Sequence, residues 1–205
     1  ENNAVRVVTC GYWDDSVKIH SLETLREIDS VAGLGGHTGA VTCVSPGGDL
    51  VVTGGVDGTC RVWCLEKASI LDIMSDRLGM AAQEQEEVDQ KSSMICARVL
   101  VAHIHPITAV HYSPEMEVVV SSSTSGLVAI HTAREGTFLR FIYDLVGESV
   151  DILTIAPLGY LVAHSWKTGR LVLYWINGQK LIETNTGQSR ITSIAVNRSS
   201  NILIC

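Results

Sequence analysis

Positive charge, proline, phenylalanine and long apolar runs are all scarce in this 205-residue sequence. Lysine and arginine number 15 against 22 aspartates and glutamates, a formal net charge of −7 with neutral histidines. No summed positive field exists to displace counterions from a nucleic-acid backbone, so nucleic acid is not expected as a partner. No segment approaches the ~20 consecutive apolar residues that cross a bilayer, and no direct membrane insertion is expected. Glu1, Asn2 and Asn3 supply neither the basic start nor the apolar core of a signal peptide. The sequence opens without methionine and stops at Cys205 inside an apolar run, so both ends read as cuts in a longer polypeptide.

The motifs of common catalytic sites are missing too. There is no G-x-x-x-x-G-K-[ST], and the glycine-rich GLGGHTG at 33–39 has no lysine to reach a phosphate. No G-x-S-x-G elbow and no HExxH occurs. His103 and His105 could in principle share a metal with His111, but His105 and His111 fall on opposite faces or ends of one strand, and no metal and no cofactor is expected. Six cysteines, at 10, 43, 60, 64, 96 and 205, include no C-x-x-C pair. They read as small buried hydrophobes in a reducing, cytoplasmic compartment.

What is present is the usage of short strands joined by turns: 18 glycines and an abundance of Val, Ile, Leu, Ser and Thr. With 46% hydrophobic and 18% charged residues the chain has ample material for a core, which excludes disorder as its main state. Four segments repeat one another: GYWDDSVKIH, GGVDGTCRVW, SSTSGLVAIH and SWKTGRLVLY, each a polar turn followed by an alternating apolar strand. Their last residues are His20, Trp63, His131 and Tyr174, so two spacings equal 43 and the middle one is 68. The 25 surplus residues are an insertion after Trp63 that holds an acid-rich stretch, with Asp76, Glu84, Glu86, Glu87 and Asp89 against Arg77 and Lys91. Charge runs of this kind are solvated, so it reads as a loop. A strand-rich period of 43 matches the ~40 to 45 residue unit of a four-stranded propeller blade.

The stretch GGHTGAVTCVSPGGDLVVTGGVDGTCRVW resembles a WD-repeat unit. That resemblance implies a hydrogen-bonded chain of His37, Thr53, Asp57 and Trp63. In the third unit His103 and Ser121 would persist, with Ser125 in place of the aspartate and His131 in place of the tryptophan. In the fourth, His164, Thr168 and Tyr174 would remain. Over nearly its whole length the sequence is similar to the propeller that follows the BEACH domain in neurobeachin-like and lysosomal-trafficking-regulator-like proteins. The resemblance implies a non-catalytic protein–protein interaction scaffold in vesicle trafficking, lysosome-related organelles or autophagy. Its partners would be adaptor or cargo proteins or its own BEACH domain, and it would reach endomembranes peripherally through them. A WD-repeat subunit of another complex, in signalling or ubiquitin ligation, is the alternative; a propeller enzyme is a remote one.

The expected fold is all-β: a WD-repeat β-propeller, an incomplete arc of a ring of about seven blades. Blades fall at 4–35 (partial), 36–101 with an insertion at 69–97, 102–146, 147–186 and 187–205 (partial). That makes three complete blades and two partial ones, a closed four-bladed ring being the alternative. Turns between second and third strands put Trp13, Asp15, Trp166 and Lys167 on one rim, and the segments leading into the blades bring Thr38 and His105 to the same side. Large aromatics on exposed loop tips are the natural anchors for a partner. The competing expectation is that Trp13 and Trp166 lie down on neighbouring blades as packing.

Overall fold

The computed structural model describes residues 6–22, 26–31, 35–65, 94–187, 191–197 and 202–204. Among them the chain forms only β-sheet, as five antiparallel sheets met one after another. The first has three strands, β1 (Arg6–Thr9), β2 (Val17–Ser21) and β3 (Glu27–Val31). Blade 2 is β4 (Val41–Gly47), β5 (Leu50–Gly55), β6 (Thr59–Cys64) and β7 (Ile95–Val101). Blade 3 is β8 (Ile107–Ser113), β9 (Val118–Ser123), β10 (Val128–Thr132) and β11 (Phe138–Ile142). Blade 4 is β12 (Ile152–Ile155), β13 (Tyr160–Ser165), β14 (Arg170–Trp175) and β15 (Lys180–Asn185). A two-stranded sheet, β16 (Ile194–Val196) and β17 (Ile202–Ile204), follows.

Each four-stranded sheet pairs its strands in chain order, so each is a meander closed by short turns. Innermost strands of successive sheets pack on one another, β4 on β8, β8 on β12 and β12 on β16. The sheets are blades of a propeller arc and do not close into a ring. The acidic insertion expected between Trp63 and His103 falls mostly on 66–93, outside the described residues. The outer strand of blade 2, expected at Ala97 to Val101, starts two residues earlier and takes in Ile95 and Cys96. There Cys96 pairs with Trp63 and Ile95 with Cys64.

The cores lie between blades. Val51 and Trp63 pack with Val17 and Ile19 of the first sheet, whereas Leu50, Val52 and Val62 pack with Ile107, Val110 and Tyr112 of the third. Alternate side chains of one strand therefore serve two seams, because successive Cβ atoms point to opposite faces. The second strands are consequently buried along their whole length, β5 (LVVTGG) and β9 (VVVSSS) alike, and their sequences are continuous rather than alternating. Threonines sew the inner edges. At a bulge between Val41 and Cys43, Thr42 Oγ1 donates to the Ile107 carbonyl at 2.7 Å; at the matching bulge of β8, Thr108 Oγ1 donates to the Val150 carbonyl. Arginines sew the outer edges, with Arg98 Nε on the Glu135 carbonyl at 3.2 Å and Arg140 on that of Asn177.

Candidate interaction rim and the network beneath it

In blade 2 the side chains of His37, Thr53, Asp57 and Trp63 are joined. Trp63 Nε1 lies 2.9 Å from Thr53 Oγ1, Thr53 Oγ1 lies 2.7 Å from His37 Nε2, and His37 Nδ1 lies 3.1 Å from both Asp57 oxygens. The proton positions follow from chemistry. Burial raises the Asp57 pKa, but the Thr38 and Thr59 backbone N–H groups, the Thr59 hydroxyl and His37 outweigh it and hold the carboxyl at about 2. An ionised carboxylate only accepts, so Nδ1 carries the proton. Burial holds His37 below its ordinary pKa in spite of Asp57, so Nε2 is bare and accepts the Thr53 hydroxyl proton. The Thr53 oxygen is then free to accept from the indole. All four groups are satisfied by one directional chain, which an interior with little water requires.

Thr53 is the node of that chain. Thr53→Val keeps the shape and leaves an indole N–H and an imidazole nitrogen buried without partners, so a loss of about 2 kcal/mol in urea unfolding is expected. A loss under about 0.5 kcal/mol would show that the hydroxyl is not the link.

The other blades depart from this pattern in ways set by single residues. In the first, His20 Nε2 lies 3.2 Å from Thr9 Oγ1, repeating the Trp63–Thr53 contact. Asp14 there takes the place of Asp57: Ser16 N–H and Oγ–H donate to its Oδ1 at 3.2 and 2.6 Å, as Thr59 donates to Asp57. This role of Asp14 escaped the sequence reading, although the shared spacing of Asp14 and Ser16, Asp57 and Thr59 carried the signal. In blade 3, His103 Nε2 meets Ser121 Oγ at 3.0 Å, but no aspartate follows, and the Nδ1 atoms of His103 and His131 are buried without partners among the described residues. Burial, with His131 beside it, lowers the His103 pKa to about 4.

Blade 4 corrects the expectation that His164, Thr168 and Tyr174 carry a remnant of the chain. β13 pairs Ala163 with Val172, as β5 pairs Thr53 with Arg61, so Ala163 and not His164 stands at the Thr53 position. The turn is one residue longer than in blades 2 and 3. Ions replace the network. Tyr174 donates to Asp144 at 2.8 Å, Thr168 to Glu148 at 2.6 Å, and Arg170 spans Glu148 at 2.7 Å and Glu183 at 2.9 Å. Hydrogen bonds from Arg170 and Lys180 hold Glu183 at about 2.

Above this layer lies the rim. In blades 2, 3 and 4 the turn between second and third strands reaches the loop that leads into the next blade. Within blade 2 a Cβ built on Gly39 of the lead-in loop would touch Val56 of the turn at 3.6 Å; between blades, one on Gly58 would stand 2.7 Å from the His103 carbonyl oxygen, and one on Gly126 would overlap the carbonyl oxygens of Leu145 and Glu148. One on Gly169 would be 2.6 Å from the Gly187 oxygen. From blade 2 onward the rim is thus a row of touching turns and lead-in loops. Along it stand Trp13 at 95% exposure, Val56, Ile104 at 94%, Val146 and Trp166 at 58%. Trp13 does not lie down as packing, whereas Trp166 is partly covered.

Asp15 takes the left-handed turn position (φ 58°) that Gly58 and Gly126 hold in blades 2 and 3, and its N–H donates to the Tyr12 carbonyl at 3.1 Å. Aspartate is among the few side chains that tolerate this conformation. The Trp166 N–H donates to Asp151 Oδ1 at 2.7 Å, which fixes that turn with Lys167 exposed beside it. His105 and Thr38 are exposed on the loops between. The structure brings Trp13 together with Asp15, and Trp166 with Lys167, but two blades separate the pairs.

Burial pushes the thiols of Cys43 and Cys64 to about 11 and that of Cys60 to about 12, away from the thiolate form. Among the described residues no three His, Cys, Asp or Glu side chains are grouped to hold a metal ion, and no helix is long and apolar enough to cross a membrane.

Four-stranded meanders packed face to face through inner strands, with a His–Thr–Trp and Asp chain tying turn to sheet, define a β-propeller domain of the WD-repeat class. The chain belongs to the neurobeachin β-propeller family: the family model for the neurobeachin beta propeller domain matches residues 2–205. It is 28% identical over 209 residues, 97% of its length, to BEACH domain-containing protein B of Arabidopsis thaliana, of which it spans 7%. It is 29% identical over 109 residues to mitochondrial division protein 1 of Aspergillus clavatus, covering 48% of this chain and 16% of that protein. Over 70 residues it is 36% identical to small ribosomal subunit protein RACK1y of Oryza sativa subsp. japonica, covering 34% of this chain and 20% of that protein. The chain spans about a fifth or less of each of these relatives.

Proposed function

We propose that this propeller is a non-catalytic scaffold of a BEACH-type protein and captures protein partners in vesicle trafficking, lysosome-related organelles or autophagy. The observation that carries the reading is the rim: bulky apolar side chains stand almost fully in solvent on turns locked to a rigid sheet below. A side chain held out at that cost in hydration, with little left to order on binding, is the usual form of a partner anchor. Its own BEACH domain, or adaptor or cargo proteins, would dock there, and endomembrane association would be indirect. Trp13→Ala and Lys167→Glu are expected to weaken capture of a separately produced BEACH domain, or of trafficking adaptors in pull-downs, with thermal melting unchanged. Undiminished capture by both variants would count against the rim. A second reading, a subunit of another WD-repeat assembly, is favoured by the 36% identity to RACK1y over 70 residues; partner capture that never includes a trafficking protein would support it.

A further inference from the structure

The first three blades give the rim a chemical character of its own. Loops 10–16, 35–40, 56–58 and 102–106 contain the carboxylates Asp14, Asp15 and Asp57 and not one lysine or arginine. Of the cations beside these loops, Lys18 is taken up by Glu27 at 3.3 Å and by the Tyr12 ring at 4.8 Å from its centroid, and Arg61 Nη1 donates to the Gly35 carbonyl at 3.4 Å, one arginine against three carboxylates. Asp57 is spent on His37, Thr38 and Thr59, whereas Asp15 is partly exposed next to Trp13. Trp13, Val56 and Ile104 are therefore exposed apolar anchors in an arc of negative sign, on a chain that is itself negative.

We infer that the arc from Trp13 through Val56 to Ile104 takes a basic segment of a partner protein in which Lys or Arg side chains alternate with bulky apolar ones. The inference rests on the rim being a docking surface and adds the sign of what docks. The apolar side chains would cover Trp13 and Ile104, and the cations would meet Asp15 and the field of its neighbours. Complementary charge of this kind speeds encounter and rejects partners of the wrong sign. Acidic peptides, phosphorylated segments and anionic membranes would be repelled by the same carboxylates.

Peptides of about twelve residues, selected from a random displayed library against the 205-residue chain, provide the test. The expected pool is rich in Lys or Arg together with Trp, Leu, Ile or Phe. A fluorescein-labelled consensus peptide should bind about tenfold more weakly to Trp13→Ala and to Ile104→Ser. Asp15→Asn keeps a side chain that tolerates the turn and should cost about threefold, and raising the salt concentration should weaken binding further. Neutral or acidic peptides that still need Trp13 would overturn the sign while leaving the rim as a docking surface. Basic peptides indifferent to Trp13→Ala and Ile104→Ser, or an empty selection, would overturn both. Binding of phosphatidylserine vesicles that Trp13→Ala abolishes would identify a membrane instead and overturn the inference.

Discussion

Gly126→Ala is expected to destabilise the domain by about 4 kcal/mol or more, a fall of about 8 to 16 °C in melting temperature for a chain of this size. Two penalties combine. Gly126 has φ near 80°, where a side chain costs about 1 to 2 kcal/mol, and its Cβ would occupy the space of the Leu145 and Glu148 carbonyl oxygens. Those are backbone atoms of the loop leading into blade 4, and Gly147 N–H already donates to the Ser125 carbonyl at 2.8 Å, so the turn cannot back away without breaking that bond. Gly147→Ala separates the two penalties. Its φ is 92°, and a Cβ there would meet nothing within 4 Å, so only the conformational cost of about 1 to 2 kcal/mol remains. Equal losses for the two variants in thermal and urea unfolding would show that the turn is not seated against the neighbouring blade.

Acidification is expected to produce the second large effect, a loss of stability between about pH 6.5 and pH 4. His103 titrates near 4 in the folded chain, chiefly because burial disfavours its charged form, and near 6.5 when unfolded. Between those values the unfolded state binds the extra proton, so stability falls as pH falls, by about 3 kcal/mol for this group once pH 4 is passed. Burial shifts His37, His111 and His131 in the same direction, which adds to the slope. Asp57 acts lower on the scale: its folded pKa of about 2 is below the unfolded value, so its contribution is intact above about pH 4 and is lost as pH falls towards 2. Urea unfolding at pH 7.5, 6.5, 5.5 and 4.5 measures the slope. His103→Gln should flatten it; an unchanged slope would mean that His103 is not held neutral by its surroundings.

The blade pattern was legible because its signal is strong and local. The 43-residue spacing, the alternation in Val17 and Ile19 or Leu171 and Leu173, and the Gly-His lead-in at His37 each depend on one strand or turn. The first two residues of β7 were not legible, since Ile95 and Cys96 adjoin a long insertion and reveal their strand only through pairing with β6. Blade 4 failed for a sharper reason. An extra turn residue between Ala163 and Val172 shifts the strand by one, and a one-residue slip in a strand exchanges its faces. His164 was thereby read into a network whose place is held by Ala163, while the replacement, Tyr174 with Asp144 and Arg170 with Glu148, is built from residues about 22 to 30 apart that no short motif joins. The rim residues were legible as turn tips, but their exposure was not, because exposure depends on what the adjacent blade presents.

The bulge threonines have a consequence for how the arc comes apart. Thr42 fastens blade 2 to blade 3 and Thr108 fastens blade 3 to blade 4, so two successive junctions between complete blades carry the same tie. In an array where each unit leans only on its neighbours, cooperativity is the sum of such junctions. Blades 2, 3 and 4 are therefore expected to open together as one cooperative unit, with Thr42 and Thr108 setting how tightly each is coupled to the next.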